Sequence, residues 1–265
     1  MTLRNYSKKI TNTASALVVK TEAKHSWLMF IVVPAWVFVC YYTAQLLIMG
    51  LVWLLIALNI NLSAINGSIY SAVVAALIYV ITLVFSIGGA WLLFRRRTNK
   101  FDLGINRLPS WVDILLSPAG LIVYFIFSSI LILLATRVLP GFDANQVQNT
   151  GFSHLSQRYE YIAAFTALVI IAPVAEELLF RGYLFGKLKK YIPVWAAILA
   201  TSALFGIAHG AWNLVVDTFA LSVVLCLLRQ ISGTIWPSIL LHMLKNGIAF
   251  YLLFINPLLL TTLLR

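Results

Sequence analysis

Long apolar runs, separated by short polar and basic segments, dominate the pattern of the chain. The first run extends from Ser26 to Leu58 without a charged residue. It exceeds the ~20 residues that an α-helix needs to cross a bilayer. Together the runs predict seven membrane-spanning helices, and the long first run leaves room for an eighth. The later runs are residues 69–94, 114–135, 161–185, 194–212, 214–228 and 235–254.

The composition explains why these runs belong in a membrane. Hydrophobic residues make up 62% of the 265 residues and charged residues 10%, whereas a soluble domain has about 25% charged residues. A soluble fold of this size could not hide so much apolar surface, because its outer shell must be largely polar. The runs also lack the alternation of polar and apolar residues found in a transmembrane β-barrel. We therefore predict an all-α fold, a polytopic transmembrane helical bundle of seven or eight spans.

The positive charge of the chain is concentrated in the loops between the runs. A formal net charge of +11 would suggest a nucleic-acid partner in a soluble protein. Here the positive-inside rule accounts for it, and we expect membrane lipids rather than nucleic acid as partners. With a cytoplasmic N-terminus, the cytoplasmic segments hold 14 Lys and Arg and the opposite segments hold 3. This distribution predicts a multi-pass protein of the cell membrane with its N-terminus in the cytoplasm.

The polar residues divide the chain into unequal parts. We predict a cytoplasmic basic tail over residues 1–25 and a single membrane domain over residues 26–265. Within this domain, residues 26–135 carry almost no ionisable groups in their spans and are interpreted as scaffold. Residues 160–250 are interpreted as the part that holds a functional site, because ionisable groups in a membrane are costly and mark such sites. The strongly polar residues of these later spans are Glu176, Glu177, Arg181, His209, Asp217, His242, Lys245 and Asn246.

Two adjacent carboxylates in an apolar run are the strongest local indication of chemistry. On a helix, Glu177 and Arg181 lie four residues apart and can pair on one face. Glu176 is rotated by about 100° and has no such local partner. A structural ion pair therefore explains Glu177 and Arg181 but not Glu176. A carboxylate in this setting is typical of a general base or acid.

Two histidines lie on later segments, each in a helical i,i+4 relation to another residue. His209 follows Phe205 by four residues, and His242 precedes Asn246 by four. Taken singly, each also fits a structural role at a span end or between helices. At 1.5 Å per residue, Glu176 and Asn246 lie about 16 Å from the cytoplasmic ends of their segments. That depth is near the middle of a ~30 Å hydrocarbon core, so we predict one convergent site.

The three motifs Glu-Glu-x-x-x-Arg, Phe-x-x-x-His and His-x-x-x-Asn occur in this order on separate segments. They resemble those of the CPBP (CAAX protease and bacteriocin-processing) intramembrane endopeptidases, also called the Abi family, which includes the Ras-converting CAAX endopeptidase. The resemblance covers about residues 160–250 and implies hydrolysis of a peptide bond inside the membrane. It implies a membrane-associated substrate, such as a prenylated protein end or a leader, bacteriocin or pheromone peptide.

The resemblance also implies a role for each motif residue. Glu176 would be the base that activates water, and His209 would help to hold that water. His242 and Asn246 would stabilise the oxyanion of the tetrahedral intermediate. The pair formed by Glu177 and Arg181 would set the shape and charge of the site.

The need for a metal is left open by the motifs. The family is often called a metalloprotease, but the chain lacks the HExxH motif that makes a ready zinc site. Glu176, His209 and His242 are the candidate ligands, because two histidines and a carboxylate can bind zinc with an open position. The preferred interpretation is a glutamate mechanism that requires no cofactor, with zinc as the alternative.

Two other functions compete with proteolysis. One is a non-enzymatic immunity or scaffold protein of the same family. The other is a small transporter, because ionisable residues within spans also mark transport paths. Transporters commonly consist of two related halves, and no internal repeat is visible in this chain.

Overall fold

The computed structural model describes residues 3–62, 65–95, 97–144, 146, 152 and 155–259, and only the backbone of residues 3–27 and 94. No strand occurs in this part of the chain, so the predicted all-α fold class is confirmed. Most of the predicted basic tail, residues 1–25, is helical in its backbone, while its side chains lie outside the described residues.

The described residues form a series of α-helices, several of which are joined directly by short π-helical turns. The α-helices are α1 (Leu3–Ala57), α2 (Gly67–Val84), α3 (Ala90–Phe94), α4 (Lys100–Leu103), α5 (Trp111–Val138), α6 (Arg158–Phe165), α7 (Ala172–Glu177), α8 (Phe185–Leu188), α9 (Val194–Ile207), α10 (Trp212–Ser232) and α11 (Trp236–Phe250). The π-helical turns are Phe85–Gly89, Thr166–Ile171, Leu178–Leu184 and Tyr251–Ile255.

The protein is a multi-pass membrane protein. Among the described residues, 6 helical stretches are long and apolar enough to cross a bilayer. They correspond to all but the fifth of the runs in the sequence. These stretches are Leu28–Ala57, Gly67–Leu93, Trp111–Val138, Arg158–Leu188, Trp212–Ser232 and Trp236–Ile255.

The fifth predicted run, residues 194–212, forms a shorter helix than its apolar composition suggests. Helix α9 has 14 residues and ends at Ile207, which at 1.5 Å per residue is about 21 Å, short of a ~30 Å core. A turn follows in which Gly210 adopts a positive φ of 79°, a conformation that favours glycine.

Three of the basic segments meet at one end of the bundle, which we call the basic end (residues 97–107, residues 187–190 and Arg229). Lys187 and Lys190 reach the carboxylate of Asp102 at 3.2 and 2.5 Å. Arg229 donates to the carbonyls of Phe101 and Asp102 at 3.1 and 3.2 Å. Helix α9 leaves this end and α10 returns to it.

The electrostatics of the basic end centre on Asp102. Partial burial would by itself raise the pKa of this carboxyl group. Hydrogen bonds from Lys190 and Lys187 outweigh the burial and hold the pKa of Asp102 below its usual range. Asp102 therefore neutralises part of the positive charge that the surrounding loops bring together.

The core lies mainly between the later helices, and α1 contributes Val33 and Val37 to it. Helix α10 packs along α9, α5 and α11, and side chains of α5, α10 and α11 form one buried cluster. Gly206 on α9 permits the close approach of α10, because a Cβ there would come within 2.8 Å of the carbonyl oxygen of Val215. This packing fixes α9 and α11, which carry the two histidines of the motifs, relative to each other.

Candidate active site

The paired glutamates lie on α7 between two π-helical turns. Helix α7 ends at Glu177, and the turn Leu178–Leu184 that follows it contains Arg181. The turn Thr166–Ile171 precedes α7. Such turns inside α-helices frequently mark functional sites, and here one lies on each side of the carboxylates.

Pro173 creates an unpaired carbonyl that Asn246 satisfies. In the turn Thr166–Ile171 the N–H of Ala172 bonds to the carbonyl of Ala167, five residues earlier. The corresponding partner of the Leu168 carbonyl would be Pro173, which has no N–H. Asn246 donates its Nδ2 to this carbonyl at 2.9 Å. The amide of Asn246 thus fastens α11 to the segment that leads into the glutamates.

Glu177 is the centre of a buried network with Arg181 and His242. Its Oε1 accepts a hydrogen bond from Arg181 Nη1 at 2.9 Å, and both side chains are 0% exposed. His242 Nδ1 lies 2.9 Å from the same oxygen. Because an ionised carboxylate only accepts hydrogen bonds, the hydrogen of this contact belongs to Nδ1. The contact therefore fixes the orientation of the ring and directs its Nε2 away from Glu177.

Glu176 is turned to the other side and meets different groups. Its Oε1 accepts a hydrogen bond from the hydroxyl of Tyr79 at 2.5 Å. Its Oε2 lies 3.8 Å from His242 Nε2, which is longer than a hydrogen bond. The two glutamates therefore flank one imidazole, with Glu177 bonded to Nδ1 and Glu176 facing Nε2.

His209 approaches the site through the ring of Phe205. Its Nδ1 lies 2.8 Å from the carbonyl oxygen of Phe205, and the two rings are 4.8 Å apart. The ring of Phe205 lies 6.0 Å from that of His242 and carries the guanidinium of Arg181 on its face at 4.3 Å. Phe205 thus joins the second and third motifs and adds a cation–π contact to the buried arginine.

A cavity of about 280 Å³ opens between the first spans and the site. Glu176 and His209 both line it, so the structure brings them to one space. The rest of the wall is largely apolar and aromatic. Its aromatic and polar lining comprises Phe38, Tyr41, Tyr42, Tyr79, Glu176, Phe180, Phe205 and His209.

Tyr79 is the site residue that the sequence did not reveal. It lies on α2, within the spans interpreted as scaffold, yet it contacts Glu176 directly. A tyrosine inside an apolar span has no distinctive spacing, and the same helix also carries Tyr70. Only the packing of α2 against α7 distinguishes the two.

Asp217 and Lys245 form a second polar cluster, separate from the glutamates. Lys245 Nζ lies 3.4 Å from Asp217 Oδ2. The other carboxylate oxygen accepts hydrogen bonds from Tyr124 at 2.6 Å and Ser128 at 2.7 Å. The cluster ties α10 and α11 to α5, and it accounts for two intramembrane charges without assigning them to the cavity.

The candidate zinc ligands do not form a metal site as they stand. Among the described residues, no group of three or more His, Cys, Asp or Glu side chains is arranged to hold a metal ion. Glu176 and His242 are neighbours. Nδ1 of His209 is bonded to a backbone carbonyl and Nδ1 of His242 to Glu177, so Nε2 is the nitrogen of each ring that could bind a metal.

The fold and the site together define a multi-pass helical membrane protein with a carboxylate-lined cavity between its spans. Residues 158–248, about a third of the chain, match the Rce1-like family, described as type II CAAX prenyl endopeptidase Rce1-like. The segment holds every residue of the three motifs, and the match confirms the resemblance drawn from them. It supports a CAAX-type membrane protease that acts on peptide substrates. No curated protein and no solved structure matches the chain.

Proposed function

We propose that the protein is an intramembrane endopeptidase that hydrolyses a peptide bond of a membrane-associated peptide or protein with water activated by Glu176. The observation that carries this proposal is the position of Glu176, whose carboxylate lines a largely apolar cavity and faces the ring of His242. A carboxylate in such a place is held ready for proton transfer and is shielded from bulk water.

The reaction begins with the transfer of a water proton to Oε2 of Glu176. The resulting hydroxide equivalent attacks the carbonyl carbon of the scissile bond and forms a tetrahedral intermediate. The C–N bond then breaks, and Glu176 returns the proton to the leaving amine. General base and acid catalysis of this kind typically contributes about 10²- to 10⁴-fold.

The two histidines have different roles in this reaction, one toward the attacking water and the other toward the oxyanion. The Nδ1 hydrogen of His209 is bonded to the Phe205 carbonyl, so Nε2 of the neutral ring can accept a hydrogen bond from the attacking water. In this proposal Nε2 of His242 donates to the oxyanion while Nδ1 stays bonded to the Glu177 carboxylate. Preorganised donors of this type contribute about 3–4 kcal/mol to transition-state stabilisation.

Asn246 and Arg181 support this arrangement. One amide hydrogen of Asn246 bonds to the Leu168 carbonyl, and its second is available to the oxyanion in this proposal. Arg181 holds Glu177 in place and balances its charge.

We also propose that the protein resides in the cell membrane with a cytoplasmic N-terminus. The gathering of basic loops at one end of the bundle supports this orientation under the positive-inside rule. The substrate is a peptide that reaches the cavity from the membrane, such as a prenylated protein end or a leader, bacteriocin or pheromone peptide.

The experiment that tests the proposal compares membrane peptides from cells carrying the wild-type protein and Glu176→Gln. The matched control is Asp143→Asn, which neutralises an exposed carboxylate outside the lining of the cavity. We expect a set of peptides that is present in cells with the wild-type protein or with Asp143→Asn and absent from cells with Glu176→Gln. The three proteins must be equally abundant in the membrane. An identical peptide pattern in all three strains would contradict proteolysis and favour a scaffold role.

A further inference from the structure

The hydrogen bond between Tyr79 and Glu176 joins the first half of the chain to the proposed base. Tyr79 donates to Oε1 of Glu176 at 2.5 Å. Tyr79 lies on α2, outside the residues 158–248 that match the family. Both side chains line the same cavity.

This bond makes the two oxygens of Glu176 unequal. Oε1 is occupied by the tyrosine hydroxyl, while Oε2 faces His242 Nε2 across 3.8 Å. A glutamate side chain has several rotatable bonds and would otherwise sample other positions in the cavity. A phenol on a packed helix is stiff and restricts this freedom, so one oxygen is held and the other is presented.

We propose that Tyr79 is a positioning residue that orients Glu176 so that Oε2 takes the proton from water. This inference rests on the proposed function, in which Glu176 is the base. Tyr79 does not exchange a proton with substrate; it acts through the carboxylate that it holds. A small displacement of a reacting group can cost about 100-fold in rate, so the loss of this bond affects turnover more than binding.

The test uses the purified full-length protein in lipid vesicles and the isosteric variant Tyr79→Phe, which removes only the hydroxyl. Tyr70→Phe, on the same helix but outside the cavity lining, is the matched control. With a peptide found in the membrane-peptide comparison as substrate, we expect Tyr79→Phe to lower kcat by about 10- to 100-fold. We expect KM to stay within about twofold, and the control to match the wild type.

A second readout is independent of turnover. Infrared spectra of protein with ¹³C-labelled glutamate, with Glu176→Gln as the reference for assignment, report the carboxylate bands of Glu176. We expect these bands to move in Tyr79→Phe and to stay in place in Tyr70→Phe. If Tyr79→Phe folds poorly, 3,5-difluorotyrosine at position 79 keeps the shape of the side chain and should move the same bands.

The outcomes separate this inference from the proposed function. If Glu176→Gln still cleaves the substrate, the proposed function fails. If Glu176→Gln is inactive while Tyr79→Phe retains its kcat and the carboxylate bands do not move, only the role of Tyr79 is overturned. A parallel rise in KM with an unchanged kcat would likewise overturn it, because it would place Tyr79 in substrate binding.

Discussion

The first three spans and the later helices differ in how much of their surface the protein itself covers. In their most apolar stretches, 11–22% of the first three long spans is buried inside the protein, against 28–50% of the three later ones. The first spans thus present mainly apolar surface outward. Yet some of their inward polar groups meet the later half directly, as Tyr79 meets Glu176 and as Tyr124 and Ser128 meet Asp217. The spans that carry none of the three motifs therefore contribute hydrogen bonds to the polar groups of the later half.

The largest expected effect is the loss of stability when a buried arginine of the later half is removed, compared with the removal of an exposed arginine of the first half. Arg181→Ala removes the cation that pairs with the buried Glu177 carboxylate, and both side chains are 0% exposed. We expect a loss of about 3–5 kcal/mol in stability, measured as a lower folded yield and a lower thermal transition in detergent. The control Arg137→Ala removes an exposed arginine of α5 and should leave both unchanged. An Arg181→Ala protein with normal yield and full activity would show that the pair is not structural.

The next effect tests the contact between the two halves at Asp217. Asp217→Asn weakens the bonds to Lys245, Tyr124 and Ser128. We expect a loss of about 1–3 kcal/mol, read from thermal unfolding in detergent. The double variant Asp217→Asn/Lys245→Met should be less destabilised than the sum of the two single variants, because no lone charge remains. Strict additivity would mean that the two residues do not interact.

A smaller effect tests the bond of Asn246 to the Leu168 carbonyl. Asn246→Ala should cost about 1 kcal/mol, because it leaves this carbonyl without its donor. In a Pro173→Ala background the residue at 173 has an N–H that can take over, so the same substitution should cost less. Equal costs in both backgrounds, measured by thermal unfolding, would contradict the link to Pro173.

The smallest effect concerns the basic end. Because the pKa of Asp102 is lowered in the folded protein, its contribution to stability is present above its unfolded pKa of about 3.9. That contribution is lost as the pH falls through the lower folded value. We expect the difference in thermal transition between wild type and Asp102→Asn to be constant near neutral pH and to shrink below about pH 4. A difference that does not depend on pH would contradict a stabilising role for the ion pairs of Asp102 with Lys187 and Lys190.

Hydropathy and helical spacing were sufficient to predict much of the molecule. The uncharged run from residue 26 to 58 contains the span Leu28–Ala57, and the i,i+4 spacing of Glu177 and Arg181 predicted a contact that the structure has. Apolar residues continue through the turn at Gly210, so hydropathy predicts a longer helix than α9, which ends at Ile207.

The contacts across helices could not be predicted in the same way. His242 meets Glu177 over 65 positions of sequence, and Tyr79 meets Glu176 over 97. Both depend on how α2, α7 and α11 pack, which a single sequence does not state. The bond from Asn246 to Leu168 depends in addition on a π-helical turn beside Pro173. Helical periodicity places Asn246 on the same face as His242, but it does not predict the hydrogen bond to the Leu168 carbonyl.

Cleavage of a membrane peptide by the purified protein in lipid vesicles, with and without a strong chelator, tests the central claim most directly. We predict that the wild-type protein cleaves the peptide under both conditions and that Glu176→Gln cleaves it under neither. The basis is the Glu176 carboxylate in its apolar cavity, with His242 oriented by Glu177 beside it. Activity that disappears on chelation and returns with about one zinc per chain would contradict the glutamate mechanism, and undiminished cleavage by Glu176→Gln would contradict the role of Glu176 altogether.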